Sequence, residues 1–233
     1  MNKALLQCTT LAVRHSEGWG LEGTTFDLNS GEIILLCGRN GSGKSTLLNA
    51  LMGLVPSTGR VFVNGVDLSH LPTWARVRQG LAMVPQRAIG FAELSLRQNI
   101  LLSGVSTTGL ENVIDRCGLR SLEHQLLGTL SGGERKRAEL ARCLALNPLV
   151  VLLDEPFAGL DNESVTWLID LLRNEQKKGV SILISDHQTT ARWQSDDRAI
   201  VLSNGRMCGT GTLMEMSLKH PFVRDFVRIS DLE

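Results

Sequence analysis

Gly38-Arg39-Asn40-Gly41-Ser42-Gly43-Lys44-Ser45 fits the spacing G-x-x-x-x-G-K-[ST], directly after the apolar run Ile33–Cys37. A continuous apolar run of this length reads as a buried central strand. Glycines let the following backbone wrap tightly, so that successive N–H groups point inward at phosphate oxygens. The helix expected near Lys44–Met52 adds its positive N-terminal end to that cradle. In this setting Lys44 reaches the β- and γ-phosphates, Ser45 offers a hydroxyl to Mg²⁺, and Thr46 continues the helix start.

Further along, Leu149-Val150-Val151-Leu152-Leu153 buries a second strand whose end delivers Asp154 and Glu155. By itself an acidic pair at a strand end is ordinary solvated surface. Beside a phosphate loop it reads differently. Asp154 is placed to hold Mg²⁺ through its water shell, and Glu155 to take a proton from attacking water.

The remaining chain alternates strands with helices. Leu5–Val13 and Thr24–Leu28 read as strands of an amino-terminal antiparallel β layer, and Arg60–Val63 closes on an Asn64-Gly65 turn. Leu81–Val84 is a short strand stopped by Pro85. Between Leu94 and Leu127 the period becomes helical, with breaks at Ser103–Gly109 and Gly118. After it come a helix (Glu134–Leu146), the Val150–Leu153 strand, a helix (Ser164–Lys178), a strand (Ser181–Ile184) and a hairpin around Asn204-Gly205. This pattern predicts an α/β fold with a mostly parallel sheet covered on both faces. We expect one domain over residues 1–233, a helical lobe inserted at about 87–146, and a partly docked tail at about 219–233.

Composition limits the function classes. Lys plus Arg number 24 and Asp plus Glu number 24, so no global field favours nucleic acid or an anionic membrane. No apolar run approaches the roughly 18 residues that a spanning helix needs, and Met1–Val13 lacks the pattern of a signal peptide. Five scattered cysteines without Cys-x-x-Cys suit reduced thiols in a cytosolic protein.

A phosphate loop and an acidic strand end leave GTPases, kinases and helicases open. Leu130-Ser131-Gly132-Gly133-Glu134 narrows the choice, because it places a second anion cradle at a helix start. From Leu5 to about Leu218 the chain resembles the ABC ATPase domains, with Glu134 where Gln is commoner. The resemblance implies the ABC ATPase fold, a P-loop NTPase, with ATP and Mg²⁺ as its ligands. It also implies that Ser131, Gly132 and Gly133 contact the γ-phosphate held by a second ATPase chain, a homodimer partner or a paralogue.

Three further positions match family motifs. Gln86, in Val84-Pro85-Gln86, resembles the Q-loop glutamine that reaches Mg²⁺ and the attacking water. Asp161, in Ala158-Gly159-Leu160-Asp161, resembles the D-loop; an N-cap for the next helix is the plainer reading, and both can hold. His187, in Ser185-Asp186-His187, matches the switch histidine, although a lone histidine is more often structural. The family stacks adenine on an aromatic ahead of the loop. By spacing that position is His15, with Trp19 nearby, in a chain that has no Tyr.

By resemblance the chain drives a polytopic transmembrane permease from the cytoplasmic face of the membrane, with no nucleic-acid partner expected. The groove for the membrane subunit would include Arg87–Leu96, where Phe91 and Leu94 are either apolar contacts or lobe core. The alternative is a soluble ABC-type switch acting on a protein or nucleic-acid partner. Leu71-Pro72, Val84-Pro85-Gln86 and Asp154-Glu155-Pro156-Phe157-Ala158-Gly159 look similar to branched-chain amino-acid import and lipopolysaccharide-export ATPases.

Overall fold

A computed structural model describes residues 4–16, 18–186 and 193–226. Two sheets organise them. The first is antiparallel: β1 (Ala4–His15) pairs with β2 (Gly18–Asn29) and with β4 (Thr58–Val63), which pairs with β5 (Val66–Asp67). The second contains β3 (Ile33–Cys37), β6 (Leu81–Val84), β7 (Val150–Asp154), β8 (Ser181–Asp186), β9 (Arg198–Ser203) and β10 (Arg206–Thr212) in the order β10-β9-β3-β8-β7-β6. Only the β9–β10 hairpin is antiparallel there; the other neighbours run parallel.

All residues of β3, β7 and β8 are buried, as continuous apolar runs require when a sheet is covered on both sides. Strand alternation splits the core in two. Ile34 and Leu36 face the antiparallel sheet and α1 (Lys44–Met52), packing with Leu47, Leu48 and Leu51. Ile33, Leu35 and Cys37 face the other way, towards α5 (Gly132–Leu144) and α6 (Asn162–Lys177). Two further helices stand with α5 between β6 and β7: α3 (Leu96–Leu101) and α4 (Thr107–Arg116).

The structure departs from the sequence reading in three places. Strand β2 begins at Gly18 rather than Thr24, because residues 18–23 complete the hairpin with β1. The helix α2 (Thr73–Arg78) is too short for its period to be read. It exists to deliver Arg76, whose buried guanidinium donates to the carbonyls of Ala50 (3.0 Å) and Leu51 (2.6 Å), satisfying orphan acceptors at the end of α1. The helix α7 (Leu213–Lys219) was also unexpected; Thr212 and Glu215 form its capping box. At the start of the tail, Pro221–Phe226 is a 3₁₀ turn with Val223 buried and Phe222 packed on the core, while Pro221 and Arg224 stay exposed.

Candidate nucleotide site

The carboxyl ends of β3, β7 and β8 meet side by side, with Cys37 opposite Asp186 and Asp154 opposite Ser185. Ligands bind in the crevice beyond such strand ends, where crossovers leave in opposite directions. Here that crevice is an open cleft of about 850 Å³ lined by Asn40–Thr46, Gln86, Glu155 and Ala158. Gly20, Asn204 and Gly205 close its other side.

The loop from Gly38 to Ser45 is shaped by its glycines. A Cβ on Gly38 would lie 2.4 Å from Ser42 Oγ and 2.6 Å from the Leu202 carbonyl oxygen, so no larger residue fits at the base. Gly43 precedes α1 with φ 104°, a conformation costly for L side chains. Lys44 is buried and turns its ammonium back on the loop, donating to the carbonyls of Gly38 (2.8 Å) and Arg39 (3.2 Å). Burial pushes its pKa below the ordinary lysine value, while Glu155, Asp154 and Asp186 pull the other way. Beneath it the Cys37 thiol is pushed up to about 12 by burial, and so stays neutral. Arg39 is exposed at the rim.

Across the cleft, Ser45 Oγ donates to Asp154 Oδ1 at 3.0 Å, joining loop and acidic strand end over 109 residues of sequence. Ser185 Oγ donates to the same oxygen at 2.6 Å and accepts from the Glu155 amide at 3.0 Å. Glu155 takes φ 47°, the left-handed region, and its amide is also held by the Ser185 carbonyl at 3.1 Å. Such a backbone costs on the order of 1–3 kcal/mol and persists where the surroundings over-determine it. Gln86 Nε2, just past the end of β6, donates to Glu155 Oε2 at 2.7 Å.

The sequence-predicted residues therefore divide. The loop from Gly38 to Thr46, Gln86, Asp154 and Glu155 come together. Ser131, Gly132, Gly133 and Asp161 do not line this cleft. Ser131 instead caps α5 in a capping box: its Oγ accepts from the Glu134 amide, and its own amide donates to Glu134 Oε2 at 2.8 Å. That amide contact, then the Ser131 hydroxyl, holds the Glu134 carboxyl below its usual range. Asp161 caps α6, accepting from the Ser164 amide at 2.8 Å. His187 lies outside the described residues, as do the side chains of His15 and Trp19.

Ser185, Gly20 and Gly205 were not singled out from sequence. A polar residue buried in the apolar run of β8 was the available signal for Ser185. The roles of Gly20 and Gly205 depend on contacts between distant segments, such as the Gly205 amide donating to the Ser42 carbonyl at 2.9 Å.

The sequence profile described as ABC transporter matches residues 21–158. The lipopolysaccharide export system ATP-binding protein LptB of Escherichia coli (strain K12) is 34% identical over 223 residues, covering 91% of this chain and 92% of that protein. Among solved structures, the ADP conformation of an ATP-binding cassette of an ABC transporter superimposes with a TM-score of 0.84. Identity there is 23%, over 96% of this chain and 98% of the other. A dimeric post-hydrolysis state of another ATP-binding cassette, bound to ADP and Pi, gives a TM-score of 0.78 at 21% identity, covering 89% and 98%. On the strength of the matched profile and the near-complete relatives, the chain belongs to the ABC transporter family, as an ATP-binding and ATP-hydrolysing subunit.

Proposed function

We propose that two copies of this chain, or this chain and a paralogue, enclose two ATP molecules and drive a membrane permease. The observation that carries the proposal is an incomplete site: one cleft gathers Lys44, Ser45, Gln86 and Glu155, with Asp154 held to Ser45, while the Ser131 cradle lies outside that cleft. A second chain supplying that cradle completes it. The dimeric ADP-and-Pi structure of a cassette with the same fold supports this arrangement.

Within the cleft the loop amides and Lys44 hold the triphosphate, and Lys44 exchanges its loop carbonyls for phosphate oxygens. Ser45 Oγ and the Asp154 carboxylate form a pair of hard oxygen donors 3.0 Å apart, which suits Mg²⁺. Once bound, the ion offsets the charge developing on the phosphoryl oxygens.

Glu155 serves as general base for the attacking water. Gln86, already in contact with its carboxylate, orients both base and water. By the family pattern His187 positions the γ-phosphate and His15 or Trp19 stacks on adenine. Asp161 contributes at the interface between the two chains.

The link to a membrane rests on a groove between β6 and the helices that follow it, lined by Met83, Ile89, Leu102, Glu139 and Arg142. Ile89 and Leu102 are more than half exposed there; Phe91, outside the groove lining, is also more than half exposed, while Leu94 is partly buried. Glu139 on α5 accepts from the Ile89 amide at 2.9 Å, so a segment seated in the groove acts on the helix that begins with Ser131. No helix among the described residues is long and apolar enough to cross a membrane. LptB, named for lipopolysaccharide export, makes an export permease the first to try.

Purification of the tagged chain from detergent-solubilised native membranes tests this reading. A stoichiometric polytopic membrane protein is the expected result. Recovery with only cytosolic or nucleic-acid partners would overturn the transport role and favour the soluble switch.

A further inference from the structure

Helix α6 presents a stripe to the helices inserted between β6 and β7. Ser164, Trp167, Leu168, Leu171 and Glu175 recur three or four residues apart and so share one face. Leu168 and Leu171 are core. The other three meet polar partners across the junction.

At the first turn, Gly133 backs onto Ser164; a Cβ at Gly133 would stand 2.7 Å from Ser164 Oγ but an ordinary 3.6 Å from its Cβ. At the second turn the Arg137 guanidinium lies over the Trp167 ring, 4.4 Å from its centroid. Near the far end Glu175, buried, pairs with Arg116 of α4 and with Lys178. Both helices start within this junction. Ser131 caps α5, and Asp161 caps α6 through the Ser164 amide.

Arg137 has the central place. Its charge acts on the carboxyls of both Glu134 and Asp161. Its Nε is buried without a hydrogen-bond partner among the described residues, so the contact with the Trp167 ring is the one that holds this edge of the head group. Gly132 differs from Gly133: nothing lies within 4 Å of a Cβ placed on it, which leaves that glycine free to face an incoming anion.

We propose that Trp167 is a positioning residue: by carrying Arg137 it fastens residues 131–137 to residues 158–164, so the two segments move as one unit within each chain. This rests on the two-chain reading above. There, docking of the Ser131 cradle on the nucleotide of the other chain sets the 158–164 loop in the same movement. Without the fastening, the cradle docks and the loop follows late.

The test combines hydrogen exchange on the nucleotide-free full chain with steady-state turnover. Trp167→Ala is expected to speed exchange at 132–137 and at 162–166 together, while Trp74→Ala, which removes an exposed aromatic on α2, changes neither. In the same variant kcat should fall about three- to tenfold, as loss of a stacking contact of this kind implies. The ATP dissociation constant should stay within about twofold, because Trp167 lies outside the ATP cleft. Trp167→Phe, which keeps an aromatic platform, should restore most of both effects. If Trp167→Ala is too unstable to assay, Arg137→Lys keeps the charge, loses the planar guanidinium over the ring and is expected to show the same pattern.

Unchanged exchange at 132–137, or unchanged kcat in a folded variant, would overturn the proposal. Failure of the underlying two-chain reading would show separately, as a Glu155→Gln chain with Trp167 intact that stays monomeric when saturated with ATP.

Discussion

Replacing Ser185 by Ala removes one oxygen that nothing in the sequence motifs names. That oxygen is fully buried, donates to Asp154 at 2.6 Å and accepts from the Glu155 amide. The amide keeps its second acceptor, the Ser185 carbonyl, so the loop conformation survives. Among the described residues, Asp154 then keeps the longer side-chain contact from Ser45. A hydrogen bond to a charged group contributes about 1.5–3 kcal/mol. At about 2–4 °C per kcal/mol for a chain of this size, the melting temperature should fall by roughly 3–12 °C.

The functional consequence is sharper than the structural one. Asp154 loses the group that orients it, and losing such a support weakens metal binding about 10- to 100-fold. Half-saturating Mg²⁺ for ATP hydrolysis should therefore rise by at least about tenfold, while metal-free nucleotide binding, which depends on the Gly38–Lys44 loop, holds steady. Melting curves and a Mg²⁺ titration of phosphate release read the two effects. A Ser185→Ala chain with wild-type Mg²⁺ dependence would refute the reasoning.

Three other predictions follow from the same geometry. Gly38→Ala places a Cβ 2.6 Å from the fixed Leu202 carbonyl, so calorimetry should find both ATP binding and thermal stability lowered. Lys44→Met removes a buried charge that is held below its ordinary pKa, so the nucleotide-free melting temperature should not fall even though ATP affinity is lost. Glu134 and Asp161 have folded-state pKa values below 4.5 and 3.8, so the stability they contribute is present above those values and drains away as pH falls through the folded ones. Melts from pH 7 down to about 3 should show a shallower acid loss in Glu134→Gln than in wild type.

Much of the site was legible because its chemistry is local. Gly38–Ser45 carries phosphate-loop spacing, strand and helix within a few residues, and Val150–Glu155 carries a buried run ending in carboxylates. The central strands were legible for the same reason, since burial on both faces writes a continuous apolar run. What escaped depends on distant partners or on short elements. Arg76 belongs to no motif, and its role appears only once α2 places it against the carbonyls of α1. Trp167 read as part of an amphipathic helix; only the approach of Arg137, 30 positions earlier in the chain, gives it a task. Family resemblance singled out Gln86 as a contact to Mg²⁺ and water, but its pairing with Glu155, 69 residues away, appears only in the folded chain.

The central claim is that Glu155 is the general base of an ATPase, and turnover of Glu155→Gln at saturating ATP and Mg²⁺ tests it most directly. The side chain keeps its size and its place beside Gln86 but can no longer accept a proton. Phosphate release should fall by at least about a hundredfold while ATP remains bound and two chains stay closed around it. Wild-type turnover in that variant would contradict the account.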